Sequence, residues 1–194
     1  MIWAVVLAAG ESRRMGTQKL LLPFGDTTVA GAVVRTAATS CVDGTIVVLG
    51  ADRDAVRREL TPHGVRFTVN EEFHLGMLSS IQAGLRALPD GAEAVVIMLG
   101  DQPFLGAGVV DAVVGAYRDG RQGIVIPTFQ GRRGHPVLLD LKYRDEILAF
   151  DQSDGLRRLM RAHQGDIREV DAGDANILRD FDTPEDYAGW PKPS

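Results

Sequence analysis

The chain has 194 residues, of which 45% are apolar and 24% are charged, and it contains one cysteine. This size and composition are typical of a single globular domain that folds without disulfide or metal crosslinks, and they exclude a fibrous or disordered protein. The formal net charge of −5 disfavours a nucleic-acid partner, because proteins that bind nucleic acids usually present a basic surface. We therefore expect one domain over residues 1–190, followed by a frayed tail at 191–194.

The apolar N-terminal segment, residues 2–7, bears on where the protein resides. No basic region precedes it, and it is far shorter than the ~20 residues that a membrane-spanning helix needs. We expect a cytoplasmic protein with no membrane partner. Cys41 follows a predicted helix with no base beside it, which favours a buried or inert thiol over a catalytic one.

Short apolar runs rich in β-branched residues alternate with segments of helical spacing. Both faces of each run are apolar, which predicts five buried strands at residues 2–7, 45–49, 66–69, 94–98 and 123–127. Apolar residues three and four apart predict the helices between and after them, at residues 28–40, 53–60, 78–88 and 109–117. Strands that alternate with helices predict an α/β protein, with a mostly parallel sheet and helices on both of its faces.

The pattern changes after residue 127. The short glycine-flanked segment 131–134 separates two strand-like runs, which predicts an antiparallel excursion through a strand at 136–140. The remaining predicted elements are helices at about 143–150 and 155–163, a strand near 167–170 and a final helix opening at 182–186.

The loop after the first strand, residues 7–19, has the composition of an anion-binding site. Its small residues and glycines let backbone N–H groups approach an anion, and Arg13, Arg14 and Lys19 outnumber the single acidic residue, Glu11. The spacing matches neither a P-loop nor a dinucleotide-binding fingerprint. An oligophosphate ligand and a flexible loop with solvated arginines both remain open at this point.

This loop reads Leu-Ala-Ala-Gly-x-Ser-x-Arg-Met-Gly-x-x-Lys, which resembles the signature of the MobA/MocA-like nucleotidyltransferases. The resemblance implies a three-layer Rossmann-like nucleotidyltransferase fold that forms a single domain over residues 1–190. It implies that Arg14 and Lys19 are catalytic residues that bind the triphosphate and stabilise its developing charge. It also implies that the nucleotide is bound at the backbone of the first four loop residues, Leu7, Ala8, Ala9 and Gly10.

Two aspartates are candidate metal ligands. Asp101 stands at the mouth of a predicted buried strand, in Gly100-Asp101-Gln102-Pro103, where it could hold a divalent cation or cap the next helix. The segment resembles the family's Gly-Asp-x-Pro, which implies a catalytic, metal-binding Asp101 and a nucleotide contact at Gly100 and Asp101. Asp182 matches the residue before the family's Thr-Pro-Glu-Asp, which implies a second ligand to Mg²⁺. A simple helix cap at Asp182 stays open, and Asp180 is a weaker candidate.

Residues 69–81 contain Gly-Met-x-Ser-Ser, which resembles a segment of the cytidylyl branch of the family that contacts base and ribose. The resemblance implies nucleotide contacts at Asn70, which could read a base edge, and at Gly76, Ser79 and Ser80. Helix capping by the two serines is an equally good interpretation of the residues alone.

Residues 131–136 resemble the same branch's Arg-Gly-His-Pro element. His135 is expected to be structural rather than an acid or base. Arg132 and Arg133 could hold an anionic acceptor or be solvated. Residues 151–158 depart from the branch's usual pattern, which leaves the acceptor undetermined.

Together the resemblances imply a Mg²⁺-dependent enzyme that transfers CMP from CTP to the phosphate of a molybdopterin-type acceptor and releases pyrophosphate. A molybdoenzyme would be a further partner. The methyl group of Ala9 favours a pyrimidine over a purine, because the guanylyl branch has glycine there. Two alternatives remain: a transferase of the same fold that uses GTP or another phosphorylated acceptor, and a non-catalytic protein that binds and delivers molybdenum cofactor.

Overall fold

The computed structural model describes residues 1–10, 18–120 and 122–180. Within these ranges the strands are β1 (Ile2–Ala8), β2 (Pro23–Phe24), β3 (Thr27–Thr28), β4 (Gly44–Leu49), β5 (Arg66–Val69), β6 (Ala94–Leu99), β7 (Ile124–Phe129), β8 (Arg132–Arg133), β9 (Val137–Asp140) and β10 (Ile167–Asp171). The α-helices are α1 (Val29–Ala38), α2 (Arg53–Leu60), α3 (Met77–Arg86), α4 (Ala107–Asp119), α5 (Arg144–Leu148) and α6 (Leu156–Ala162). The predicted helix at 182–186 and the predicted tail at 191–194 lie outside the described residues.

The central sheet has the strand order β10-β7-β9-β6-β1-β4-β5, and β8 pairs with β7. β1 runs parallel to both β4 and β6, β4 runs parallel to β5, and β7 runs parallel to β10. β9 is antiparallel to both of its neighbours, β6 and β7. The predicted antiparallel excursion is therefore correct: β8 and β9, both antiparallel to β7, are reversed relative to the parallel strands of the sheet.

Helices cover both faces of this sheet. Along β1, the even-numbered side chains pack in one core with α1, α2 and α4, and the odd-numbered side chains pack in another with α3, α5 and α6. This division follows from the strand's period of two, which sends successive side chains to opposite faces. The predicted three-layer α/β fold is confirmed.

The structure corrects one expectation about burial, that for β5, and narrows another, that of a buried or inert thiol at Cys41. β5 was predicted to be a buried strand, but it forms one edge of the sheet and its four residues are exposed or half-buried. The apolar run does not reveal that only one neighbour, β4, pairs with it. Cys41 is exposed rather than buried. Partial desolvation and the nearby Asp111 carboxylate raise the pKa of its thiol, which fits an inert cysteine.

Two helical glycines should respond in opposite ways to alanine. A Cβ on Gly84 of α3 would lie 2.5 Å from Cγ1 of Val5, whereas a Cβ on Gly115 of α4 would meet no atom within 4 Å. Gly84→Ala should destabilise the fold by about 1–3 kcal/mol through overpacking. Gly115→Ala should stabilise it by about 0.5–1 kcal/mol, because alanine favours a helix. Denaturant unfolding of both variants measures whether the free energy of unfolding falls or rises relative to the wild type. A Gly84→Ala variant as stable as the wild type would contradict this packing.

No helix within the described residues is both long enough and apolar enough to cross a membrane.

Candidate active site

A cavity of about 360 Å³ opens at the carboxyl ends of β1 and β6. Ligands of open α/β sheets usually bind at this edge, where the loops that follow parallel strands converge. The cavity brings together the loop after β1, the start of α3, the end of β6 and one residue from near the end of the described chain. Its lining residues are Leu7, Ala9, Gly10, Lys19, Phe73, Gly76, Met77, Ser80, Leu99, Asp101 and Asp180.

Two glycines allow the strand ends to approach each other below the cavity. Gly100 donates its backbone N–H to the carbonyl oxygen of Leu7 at 3.0 Å, and a Cβ on Gly100 would lie 2.7 Å from that oxygen. A Cβ on Gly50 would likewise lie 2.5 Å from the carbonyl oxygen of Ala9. Gly100 therefore has a packing reason to be glycine, in addition to the nucleotide contact that the sequence suggested. Ala8 is fully buried in the core at the end of β1.

Lys19 and Asp101, predicted separately from distant motifs, are in direct contact. The Lys19 Nζ atom donates to Asp101 Oδ2 at 2.7 Å, and the two side chains are 16% and 24% exposed. Lys19 begins a short 3-10 helix, Lys19–Leu21, which is anchored by the buried side chain of Leu20. Asp101 lies two residues after the end of β6. The fold thus holds one cation and one carboxylate together at the cavity, in a half-buried setting where charge pairs are only partly screened.

Asp180 is a second carboxylate of the cavity, and Gln102 holds it. The Gln102 Nε2 atom donates to Asp180 Oδ1 at 2.8 Å, while the Gln102 side chain is only 2% exposed. Among the described residues, the buried Oε1 atom of Gln102 has no hydrogen-bond partner. The motif Gly-Asp-x-Pro leaves position 102 variable, so no sequence signal pointed to Gln102. Asp180 was the weaker of two candidates near the end of the chain.

The segment that carries Asp180 is attached to the rest of the fold at several points. The Arg179 guanidinium lies 3.7 Å from the centre of the Phe104 ring. The backbone N–H of His135 donates to the carbonyl oxygen of Ile177 at 3.0 Å. These contacts keep residues 175–180 against the β6–α4 loop and the turn before β9, so that Asp180 reaches the cavity.

His135 lies within electrostatic range of both carboxylates. Burial of its imidazole lowers its pKa below the ordinary value, although the charges of Asp180 and Asp101 act in the opposite direction. The neutral imidazole is the form that this environment favours near pH 7. This setting and the backbone contact with Ile177 agree with the structural role expected for His135.

Asn70 stabilises the segment between β5 and α3. Its Nδ2 atom donates to the hydroxyl oxygens of Ser79 at 2.8 Å and Ser80 at 3.0 Å, and its Oδ1 atom accepts the backbone N–H of Glu72 at 3.0 Å. Asn70 is only 5% exposed. With both ends of its amide engaged inside the protein, a direct contact with a base edge is disfavoured, and we interpret Asn70 as a residue that positions Ser79 and Ser80.

Gly76 makes the sharp entry into α3. Its φ of +110° with ψ of −173° is a conformation that is essentially restricted to glycine. Ser79 is buried, and its hydroxyl oxygen lies 2.8 Å from the carbonyl oxygen of Gly76 and 3.0 Å from that of Glu72. The single hydroxyl proton of Ser79 can donate to either of these carbonyl oxygens, and the hydroxyl accepts no backbone N–H of the first helical turn, so helix capping is the wrong interpretation for it. Ser80 lines the cavity.

The remaining predicted residues are elsewhere or outside the described part of the chain. Arg14 and Asp182 fall among residues 11–17 and 181–194, which the structure does not describe. Arg133 forms an ion pair with Glu169 of β10 at 2.7 Å, so its charge is already compensated. Arg132 is exposed in β8, and neither arginine lines the cavity.

The cavity residues fit a hard divalent cation. Asp101 and Asp180 offer carboxylate oxygens, and Mg²⁺ is usually held by one or two carboxylates together with substrate phosphates and water. Among the described residues there is no cluster of three or more histidine, cysteine, aspartate or glutamate side chains that could enclose a metal. Two carboxylates leave further coordination positions of such a cation for oxygen atoms of a ligand or of water.

Comparison with known proteins assigns the family. The chain belongs to the family of the MobA-like NTP transferase domain, whose model matches residues 4–167. The resemblance drawn from the sequence motifs is confirmed, and the matched range contains the cavity residues other than Asp180.

Three relatives span nearly the whole chain. The purine catabolism protein PucB of Bacillus subtilis (strain 168) is 30% identical over 192 residues, covering 94% of this chain and 92% of PucB. The nicotine blue oxidoreductase of Paenarthrobacter nicotinovorans is 30% identical over 194 residues, covering 95% and 93% of the two chains. The molybdenum cofactor cytidylyltransferase of Escherichia coli (strain K12) is 25% identical over 183 residues, covering 94% and 92%. These three proteins are named for different reactions, so membership of the family does not by itself define the substrates of this chain.

Solved structures share the fold over almost the full length. An Rv0371c homologue from Mycobacterium sp. strain JC1 has a TM-score of 0.85 at 33% identity, covering 96% of this chain and 93% of that one. Rv0371c of Mycobacterium tuberculosis H37Rv, in complex with manganese, has a TM-score of 0.81 at 29% identity, covering 96% of both chains. The nucleotidyl transferase Mth528 from Methanothermobacter has a TM-score of 0.83 at 26% identity, covering 97% and 94%.

Proposed function

We propose that this chain is a Mg²⁺-dependent nucleotidyltransferase that transfers CMP from CTP to the phosphate of a molybdopterin-type acceptor and releases pyrophosphate. The observation that carries the proposal is the Lys19–Asp101 contact in a cavity that is also lined by Gly10 and Gly76. A cation for phosphate and a carboxylate for a divalent metal are the two charges that phosphoryl-group chemistry requires. The E. coli cytidylyltransferase, 25% identical, supports the choice of substrates.

The reaction is an in-line displacement at phosphorus. An oxygen of the acceptor phosphate forms a bond to the α-phosphorus of CTP, and the bond from that phosphorus to the oxygen bridging the β-phosphate breaks. Pyrophosphate leaves with that oxygen and its electron pair. The acceptor phosphate is already ionised near neutral pH, so no general base is needed, and catalysis comes from positioning and electrostatics.

The chain's own residues supply most of this positioning. The backbone after β1, ending at Gly10, offers room for the phosphates because no side chain projects from the glycine. Lys19 stabilises the negative charge that accumulates on the departing pyrophosphate, together with Arg14 in our proposal. His135, neutral in its buried setting, keeps residues 175–180 in place rather than transferring a proton.

Asp101 would hold the divalent cation, with Asp182 as the second ligand that the sequence motif suggests and Asp180 as the additional carboxylate in the cavity. When bound, Mg²⁺ would neutralise charge on the phosphate oxygens of the substrate. The manganese complex of Rv0371c supports a divalent cation in a protein of this fold.

The base subsite lies between Ala9 and the start of α3. Ala9, Gly76, Met77 and Ser80 line the same cavity, with Phe73 as an aromatic wall. Ala9, only 2% exposed, stands where the guanylyl branch of the family has glycine, and this difference favours cytosine in our proposal.

Release of pyrophosphate tests the proposal. The purified chain is incubated with Mg²⁺, a molybdopterin-type acceptor and each of the four ribonucleoside triphosphates in turn. We expect release with CTP to be the fastest, and it should depend on the acceptor. Tighter competitive binding of GTP than CTP would overturn the base assignment. Binding of cofactor without pyrophosphate release from any nucleotide would favour a protein that delivers cofactor, for example to a molybdoenzyme.

Substitution of Asn70 separates reading of the base from positioning of the loop. Asn70→Ala removes two hydrogen bonds to Ser79 and Ser80, so we expect KM to rise by about tenfold for CTP and GTP alike, as one or two lost hydrogen bonds would produce. A residue that reads the base would instead change the ratio of the two KM values. Steady-state kinetics with both nucleotides measures the two KM values. A rise in KM for CTP alone would show that Asn70 contacts the base directly.

A further inference from the structure

The Lys19–Asp101 ion pair joins two groups that the proposed reaction assigns to different partners. Lys19 Nζ contacts Asp101 Oδ2 at 2.7 Å. In the proposed function, the Asp101 carboxylate holds a divalent cation and the Lys19 ammonium group stabilises the triphosphate. The ion pair and the two proposed roles use the same two charged groups. The binding of the divalent cation and of the triphosphate therefore depends on whether this ion pair is intact.

An ammonium ion on a carboxylate opposes a metal ion on the same carboxylate. It takes up a lone pair of the oxygen through a charge-assisted hydrogen bond, and it repels a second cation that comes within a few ångströms. The half-buried position of both side chains makes screening by water weaker than at an open surface. A triphosphate removes the conflict, because its oxygens can accept the Lys19 ammonium group and coordinate the metal ion together.

We propose that Lys19 couples cation binding to nucleotide binding by competing for Asp101 until a triphosphate accepts its ammonium group. The inference rests on the proposed function, since it needs Asp101 to hold the cation and Lys19 to bind the triphosphate. The divalent cation alone then binds weakly, and cation and nucleotide each strengthen the binding of the other by the same factor. The site therefore binds the divalent cation mainly when the nucleotide is also bound.

The chain contains a matched control for the charge of Lys19. Lys142 Nζ pairs with Asp166 Oδ2, also at 2.7 Å. That pair lies at the amino ends of β7 and β10, on the side of the sheet away from the cavity. There Asp166 accepts the backbone N–H of Gly123 just before β7 begins. Lys142→Met therefore changes the net charge as Lys19→Met does and breaks an ion pair of equal length, but it leaves the cavity untouched.

The test measures Mn²⁺ binding to the full chain by electron paramagnetic resonance of the free ion, first alone and then with CTP, correcting for the Mn²⁺–CTP complex in solution. We expect Lys19→Met to bind Mn²⁺ alone at least about tenfold more tightly than the wild type, since one repulsive charge is removed beside the ligand. CTP should enhance Mn²⁺ binding in the wild type and do so much less in Lys19→Met. Lys142→Met should match the wild type, and Asp101→Asn should bind Mn²⁺ weakly under both conditions.

Three results would overturn the coupling. If Lys19→Met binds Mn²⁺ alone no more tightly than the wild type, while the wild type binds Mn²⁺ and CTP together, the competition does not exist but the proposed function stands. If the wild type binds neither CTP nor any other nucleotide with Mn²⁺, both proposals fall. Lys19→Arg, which retains the charge, should keep the weak wild-type affinity for Mn²⁺ alone; tight binding by this variant would also contradict the competition. Thermal unfolding monitors whether each variant is folded.

Discussion

Asp101→Asn is expected to reduce the rate of pyrophosphate release by at least about a hundredfold while the protein remains folded. The Asp101 carboxylate lies after the end of β6 and forms the ion pair with Lys19 in the cavity. The asparagine side chain therefore removes both the proposed metal ligand and the charged partner of the ammonium group. Because asparagine has nearly the same shape, the loss is one of charge and not of packing. Single-turnover rates with CTP and acceptor, at saturating Mg²⁺, measure the effect on the chemical step.

Asp26→Asn is a suitable control for this substitution. Asp26 is an exposed aspartate that forms a two-pronged ion pair with Arg35 at 2.8 and 2.9 Å. Its substitution changes the net charge equally, and exposed pairs contribute little to stability, so activity should stay within about twofold of the wild type. Near-normal activity of Asp101→Asn, with the control also active, would remove Asp101 from the mechanism.

The second large effect is expected from Gly134→Ala, at the turn that leads into β9. A Cβ on Gly134 would run into the backbone carbonyl group of Ile177, at 2.8 Å from its carbon atom. Moving either backbone segment apart would weaken a hydrogen bond, since His135 donates its N–H to the same carbonyl oxygen. We expect destabilisation of about 1–3 kcal/mol from overpacking, together with weaker Mn²⁺ binding as residues 175–180 move Asp180 away from the cavity.

Denaturant unfolding and Mn²⁺ titration at a temperature where the variant is folded separate these two consequences of Gly134→Ala. Gly165→Ala serves as the comparison, because a Cβ at that glycine meets no atom of the described residues within 4 Å. That variant should be close to the wild type in both measurements. Wild-type stability of Gly134→Ala would mean that the contact between this turn and Ile177 is not tight in solution.

Much of the fold could be predicted from local pattern. The apolar β-branched runs predicted both ends of β1, β4, β6 and β7 to within two residues. The short glycine-flanked link predicted the reversal into β9. These features depend on the periodicity of side chains and on turn chemistry, which neighbouring residues determine. The exposure of β5 could not be predicted, because a strand's place at the edge depends on strand order in the whole sheet.

The site was predictable only as separate pieces. Motifs in the sequence pointed to Lys19 and to Asp101 as single residues of suitable chemistry, and to Asn70 as a polar residue near a base. Their spacing along the chain carries no information on which side chain bonds to which. Asn70 illustrates this limit, because its amide could face a ligand or the interior, and packing of α3 against β5 turns it inward.

The sequence by itself determined the alternation of strands and helices, the glycine-rich loop after β1 and the types of residue available for phosphate and metal chemistry. Only the tertiary structure decided that Lys19 contacts Asp101 across 82 positions of sequence, and that Gln102 holds Asp180 across 78. The physical reason is that parallel strands bring their carboxyl ends to one edge regardless of the lengths of the connections between them. Local periodicity selects each element, whereas long-range packing selects the partners of its polar side chains.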